Sequence, residues 1–221
     1  MDPRLSQTFV QAAKEIGVVL GEREILLFAQ YFSLLRLWNG KMNLISVRDD
    51  GEIVLKHFLD SLTPVPFLPH DEIRILDIGA GPGLPGIPMK IAVDAWQLSL
   101  LEASRKRTSF MKEAVRHLAL KRTAVIHDRA ENLTARKEYA GTFDVVISRA
   151  TLKLPQLIDL SNYFLDSGGR MVAMKGVIPD DEAAEAVQVS EKTGLLLHET
   201  HTFALPPANT PRKIIIYKKI L

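Results

Sequence analysis

From residue 4 to about 62 the chain repeats apolar positions at helical spacing. Leu5, Phe9, Ala12 and Ile16 make one stripe; after a break at Gly21, Ile25, Phe28, Phe32 and Leu35 make a second. A third, shorter helix is predicted to start at Asp49 or Asp50 and to end before Pro64. The stretch 64–69 holds three prolines and predicts a connector. Beyond it the period changes. Short apolar runs at 73–78, 97–101, 124–126, 143–147 and 171–173 predict buried strands, most of them separated by helices near 86–93, 105–119, 154–165 and 180–192. Strand alternating with helix predicts a mostly parallel sheet with helices on both faces. Two further strand candidates, 195–205 and 213–217, are joined by the turn-forming PPANTP, so the sheet is expected to finish as an antiparallel hairpin. The expected organisation is a helical N-terminal subdomain, 1–69, followed by an α/β domain, 70–221, without internal repeats.

In an open α/β sheet, ligands sit outside the carboxyl ends of the strands, near the point where strand order reverses. Polar residues follow each of the first five predicted strands: Gly79-Ala80-Gly81-Pro82-Gly83, Glu102, Arg129-Ala130-Glu131, Ser148-Arg149 and Lys175-Gly176. The glycines permit positive φ and close approach of the backbone to a ligand. A dinucleotide-binding loop uses the same physics, but its G-x-G-x-x-G pattern fails here because Leu84 takes the sixth position. Asp77, inside the apolar strand two residues before the loop, is costly to bury unless a cation or several donors meet it. It disfavours the anionic pyrophosphate of a dinucleotide and favours S-adenosylmethionine, which carries an ammonium and a sulfonium. A structural carboxylate bonded to the loop's own N–H groups is the alternative, and the two roles are compatible. Glu102 is placed to accept from both hydroxyls of a ribose, a contact that either class of ligand shares.

Composition narrows the chemistry. The 221 residues are 47% hydrophobic and 24% charged, enough for a full globular core, and Lys and Arg (28) exceed Asp and Glu (26) by 28 − 26 = +2. So small a surplus neither demands nor excludes nucleic acid. There is no cysteine, which excludes disulfides, thiolate metal sites and a cysteine nucleophile, and no metal-ligating histidine pattern is seen. An amphipathic N-terminus of mixed charge and the lack of a long apolar run predict a soluble, cytoplasmic protein with no membrane association.

ILDIGAGPG resembles the first motif of class I S-adenosylmethionine-dependent methyltransferases. Its extension LPGIP, with WNGKMNL (38–44), KHFLDSL (56–62), KR (106–107), RAEN (129–132), FDVVISRA (143–150), MKG (174–176) and the late Arg212, resembles the bacterial 16S ribosomal RNA guanine-N7 methyltransferases, or glucose-inhibited division protein B family. The resemblance implies a Rossmann-like, seven-stranded, mostly parallel sheet and transfer of a methyl group from S-adenosylmethionine to N7 of a guanosine. The implied partner is 16S ribosomal RNA or the small ribosomal subunit, and a monomer is expected. It also implies cofactor contacts at Gly79, Gly81, Leu84, Glu102, Ala130, Glu131 and Arg149, with Ala130 and Glu131 about the adenine and Arg149 near the methionine end and the substrate. Two departures stand out. Glu102 replaces a customary aspartate, and ATLKLP (150–155) replaces a more typical small-residue run.

The absences agree with an N7 acceptor. A cytosine C5 acceptor ordinarily needs a cysteine, and the Asn/Asp-Pro-Pro-aromatic tetrad that handles exocyclic amines is replaced by Ser148-Arg149. Guanine N7 has a free lone pair and no proton to lose, so no catalytic base is predicted; other intrinsically nucleophilic acceptors fit the same absence. Lys106, Arg129, Arg149, Lys175 and Arg212 are expected to contact RNA at the strand-end face, whereas Lys153 reads better as a solvated lysine. Trp38 and Leu44 are expected in the core, Asn39 and Asn43 on local backbone, and His57 with Asp60 as a structural pair on one helix face. A small-molecule or protein methyltransferase, a module that only binds RNA and, least favoured, a nicotinamide oxidoreductase are the competing readings.

Overall fold

The computed structural model describes residues 1–46, 49–149, 152–205 and 210–220. Helix α1 (Pro3–Glu15) starts at Asp2, whose carboxylate accepts from the Arg4 N–H, with proline in the first turn. Helix α2 (Glu22–Met42) starts where Glu24 accepts from the Gly21 N–H and ends at Asn43, whose φ of 49° is the left-handed cap conformation. The third predicted helix is a run of three pieces: α3 (Asp50–Glu52), a π-helical stretch (Ile53–Phe58) and α4 (Leu59–Leu62). The proline connector closes into a single 3₁₀ turn, Val65–Phe67.

Seven strands follow: β1 (Arg74–Ile78), β2 (Gln97–Glu102), β3 (Thr123–His127), β4 (Phe143–Arg149), β5 (Leu165–Lys175), β6 (Leu195–Leu205) and β7 (Thr210–Lys219). Between them run α5 (Gly86–Ala92), α6 (Arg105–His117), the short α7 (Ala130–Leu133), α8 (Leu154–Phe164) and α9 (Asp180–Thr193). The sheet order is β3-β2-β1-β4-β5-β7-β6, parallel except for β7, which runs antiparallel to both β5 and β6. Strand order therefore reverses between β1 and β4, and the chain finishes in the expected antiparallel pair. Of the turn PPANTP, residues 206–209 lie outside the described residues.

Two departures from the sequence pattern have physical causes. Strand β5 begins at Leu165, directly after α8, six residues before its apolar run. Its first half, LDSGGR, pairs with β4 only at Leu165 and Arg170, across an irregularity, and exposes Asp166, Ser167 and Gly168, so it carries no apolar run. The single turn α7 is too short to show a period.

The sheet divides the interior into two apolar clusters. On one face Phe9, Phe28 and Phe58 of the N-terminal helices pack ring against ring and join Ile87, Met89 and Phe110 of α5 and α6. On the other face α8 and α9 cover the sheet through Leu157, Ile158, Phe164 and Ala186. Neighbouring positions on β1 alternate between the faces, Ile75 in the first cluster and Leu76 in the second. The N-terminal helices thus share one continuous core with the sheet, and burial of these aromatics holds them over the carboxyl end of β1.

Candidate active site

The carboxyl ends of β1 and β4 are joined by Ser148, whose hydroxyl donates to the Ile78 carbonyl at 2.8 Å. The loop leaving β1 folds back on itself through the N–H groups of Gly83 and Leu84, both donating to the Ala80 carbonyl at 2.8 Å. Gly79, Gly81 and Gly83 have φ of 71°, 60° and 96°, a region that residues with a Cβ rarely occupy. At Gly83 the constraint is also one of space, since a Cβ would stand 2.3 Å from Ile87 Cδ1. From α2, the buried Tyr31 hydroxyl donates to the Pro82 carbonyl at 2.7 Å and ties the N-terminal helices to the loop. The loop floors a cleft of about 1080 Å³, whose opposite wall is the end of α2 and the segment after it, including Asn39 and Asn43.

Two buried acids support this floor. Asp77 is 0% exposed, with Oδ2 accepting from the Gly86 N–H at 2.9 Å while Oδ1 is buried without a protein partner. Burial pushes its carboxyl up to about 7, against the opposing pull of the Gly86 N–H and the Arg149 charge. Glu102 accepts from the Gly81 N–H at 2.9 Å through Oε2 and from the Ser104 N–H at 2.8 Å through Oε1. It thereby locks the loop to the end of β2, and Arg107 lies 3.7 Å from the same Oε2.

The second half of the site is ionic. Asp60 on α4 accepts from Arg212 Nε at 2.8 Å through Oδ1 and from Arg149 Nη1 at 3.3 Å through Oδ2. Arg149 Nη2 also faces His57 Nδ1 at 3.5 Å. A guanidinium only donates, so that nitrogen must present its lone pair. Burial first, and the Arg149 charge second, hold His57 down at about 4, which keeps the ring neutral at physiological pH. His57 and Arg149 separate the large cleft from a second cavity of about 430 Å³ lined by Asp60, Lys175, Arg212 and Lys213. Lys175 is engaged there by the Leu152 carbonyl and by Glu182 at 3.3 Å.

A glycine loop above two buried acids thus stands at the strand-order reversal, facing an arginine cluster. The profile of the rRNA small subunit methyltransferase G family matches residues 24–209. Ribosomal RNA small subunit methyltransferase G of Syntrophus aciditrophicus is 40% identical over 214 residues, spanning 96% of this chain and 89% of that protein. That of Desulforamulus reducens is 37% identical over 217 residues, spanning 98% and 90%. The chain belongs to the rRNA small subunit methyltransferase G family.

Solved structures place this family member in the class I methyltransferase fold. Aeropyrum pernix fibrillarin, solved with natively bound S-adenosyl-L-methionine, matches with a TM-score of 0.55 at 16% identity over 68% of each chain. An S-adenosylmethionine-dependent methyltransferase from Aquifex aeolicus matches with 0.56 at 13% identity, covering 80% of this chain and 97% of that one.

Of the positions predicted from sequence, Gly79, Gly81, Leu84 and Arg149 line the large cleft, while Asp77 and Glu102 lie beneath its floor. Ala130 is buried and Glu131 exposed at the start of α7, beyond β3. Lys106, Arg129 and Lys153 are exposed, whereas Arg212 and Lys175 are held in ion pairs. In the KR pair it is Arg107, one position after the predicted Lys106, that lines the cleft. Asn39 does bond local backbone, accepting from the Ile45 N–H at 2.9 Å. Trp38 packs at the core's edge against Phe110, and Leu44 is buried. The departure at ATLKLP falls partly on Ala150 and Thr151, which are outside the described residues. Tyr31 and the arginine partners of Asp60 were not legible from sequence, although KHFLDSL already marked the segment that carries Asp60. Among the described residues no group of His, Asp or Glu is arranged to hold a metal, and no helix is long and apolar enough to cross a membrane.

Proposed function

We propose that this protein transfers a methyl group from S-adenosylmethionine to N7 of a guanosine in 16S ribosomal RNA, as a cytoplasmic monomer acting on that RNA or on the small subunit. The observation that carries the reading is the junction, on one cleft, of the glycine loop at the end of β1 with the Arg149 cluster at the end of β4. It has this form in a chain whose relatives are ribosomal RNA methyltransferases. Residues 70–221 carry the methyl-donor site and residues 1–69 complete the acceptor side.

A cationic ligand fits the residues present, because Asp77 keeps one buried oxygen without a protein partner under the loop. When bound, S-adenosylmethionine supplies an electrophilic methyl group on a positively charged sulfur. Gly79, Gly81 and Leu84 hold its methionine portion, with Asp77 supplying negative charge. Glu102 holds the ribose hydroxyls; a carboxylate has about four lone-pair sites, so its two backbone bonds leave capacity. Ala130 and Glu131 hold the adenine. Arg149 orients the acceptor, which brings its own lone pair, and the neutral His57 is not required as a base. Lys106, Arg129, Lys175 and Arg212 contact RNA phosphates, the last two as members of ion pairs.

Nucleoside mass spectrometry of 16S ribosomal RNA from cells with and without the gene tests the reading. Loss of one N7-methylguanosine is the expected result, and an unchanged inventory would overturn it.

A further inference from the structure

Asp60 belongs to neither the donor loop nor the exposed cationic rim. It is a 5% exposed carboxylate on the N-terminal helical segment whose two oxygens are divided between Arg149 and Arg212, from the ends of two strands that lie on either side of β5. Those partners are 89 and 152 residues away in sequence, so the contact exists only once the N-terminal segment has packed against the sheet. The cavity beside it is otherwise cationic. Lys56, Lys175 and Lys213 line it with the two arginines, and Asp60 is the single acid among its described lining residues. In a surface that must attract phosphate, the charge of Asp60 opposes binding. Its geometry is what helps: a long arginine side chain has many rotamers, and one fixed carboxylate oxygen for each guanidinium removes many of them before substrate arrives.

We infer that Asp60 is a positioning residue for methyl transfer: it holds the Arg149 and Arg212 guanidinium groups in one arrangement, so that Arg149 meets the acceptor nucleotide already oriented. This rests on the proposed methyl transfer to ribosomal RNA and adds a residue that touches neither donor nor acceptor.

Charge and geometry predict opposite signs, which makes the inference testable. In Asp60→Asn the shape is kept and the charge removed. Its affinity for small ribosomal subunits should be equal to or tighter than wild type, and its affinity for S-adenosylmethionine by calorimetry should agree within about twofold. kcat for methylation of those subunits should fall about a hundredfold, the scale of a roughly 1 Å misplacement. Asp60→Glu should recover part of kcat. A folded Asp60→Asn whose kcat stays within about threefold of wild type would show that Asp60 only balances charge, and the inference would be wrong. Should Asp60→Asn not fold, Arg212→Lys decides, since it keeps the charge but gives up the 2.8 Å Nε bond. A loss of kcat at saturating subunits is expected, and wild-type turnover overturns the inference. If wild-type protein itself leaves small subunits unmethylated, the reaction assigned above has failed, and that result is distinct from any of these.

Discussion

Asp77 and Asp60 are both buried, yet they are neutralised in different ways. Asp77 meets the N–H of Gly86, nine residues on, and leaves one oxygen unpartnered; its carboxyl is pushed up to about 7. Asp60 meets two guanidinium groups brought from far along the chain. The half of the site proposed to hold the donor is therefore made of backbone, fixed by glycine geometry and short-range hydrogen bonds. The half proposed to meet the acceptor is made of long side chains, fixed by charge. Backbone geometry tolerates almost no substitution in the loop itself, whereas the ion-pair cluster depends on both the charge and the reach of its side chains. The two halves should break differently.

The largest effect is expected in the donor half. Gly83→Ala places a Cβ at 2.3 Å from Ile87 Cδ1 in a backbone with φ of 96°. A destabilisation of about 3 kcal/mol, from the left-handed backbone and from overpacking, should appear in urea unfolding with loss of S-adenosylmethionine binding. A variant as stable as wild type would mean that the loop yields.

Acid should separate the halves next, because their buried groups titrate in opposite senses. His57 titrates at about 4 when folded against an ordinary 6.5, so between those values the unfolded chain holds the extra proton. Stability from this group is full above pH 6.5 and falls by about 3 kcal/mol on acidification to pH 4. Asp77 titrates at about 7 against an ordinary 3.8, so its contribution is full below pH 3.8 and is lost as pH rises through 7. Unfolding measured across this range should lose the first slope in His57→Gln and the second in Asp77→Asn. Curves parallel to wild type in both would contradict the assignments. A cation beside Asp77 favours its ionised form, so affinity for S-adenosylmethionine should also rise with pH toward 7, and Asp77→Asn should abolish that rise.

Glu102→Ala removes the acceptor of the Gly81 N–H along with the proposed ribose contact. Hydrogen bonds to a charged acceptor contribute about 1.5–3 kcal/mol, so cofactor affinity should drop roughly ten- to a hundredfold. Unchanged affinity by calorimetry would remove Glu102 from the donor site.

The smallest effects belong to the exposed rim. Binding to small subunits should weaken as salt rises, and Arg129→Ala should lower the salt slope by about one unit. Lys153→Ala, the solvated lysine, should match wild type in the same titration. Indifference of wild-type binding to salt would remove phosphate contacts from the acceptor half.

How much of this was legible in the sequence follows the same division. The loop from Asp77 to Pro88 could be read because its determinants are local: positive φ demands glycine, and a strand carrying one acid before four glycines has few other uses. The short apolar runs and the helical periodicity likewise located the strands and helices that are buried, and failed at 165–170, where β5 has no apolar run. The parallel sheet with its antiparallel finish, the strand-end position of the candidate residues that line the cleft, and the family were all available from the chain itself.

The partners of Asp60 were not. A helical spacing of three suggested that it pairs with His57, but in the folded chain both turn to Arg149, because burial of Phe9, Phe28 and Phe58 seats that helix against the end of β4. Nor could the chain alone choose Arg107 over Lys106, since adjacent positions on a helix point about 100° apart and only packing decides which one faces the cleft. Local stereochemistry writes the donor loop into consecutive residues. Charge pairing across 89 and 152 residues is decided only when the apolar core brings distant segments together.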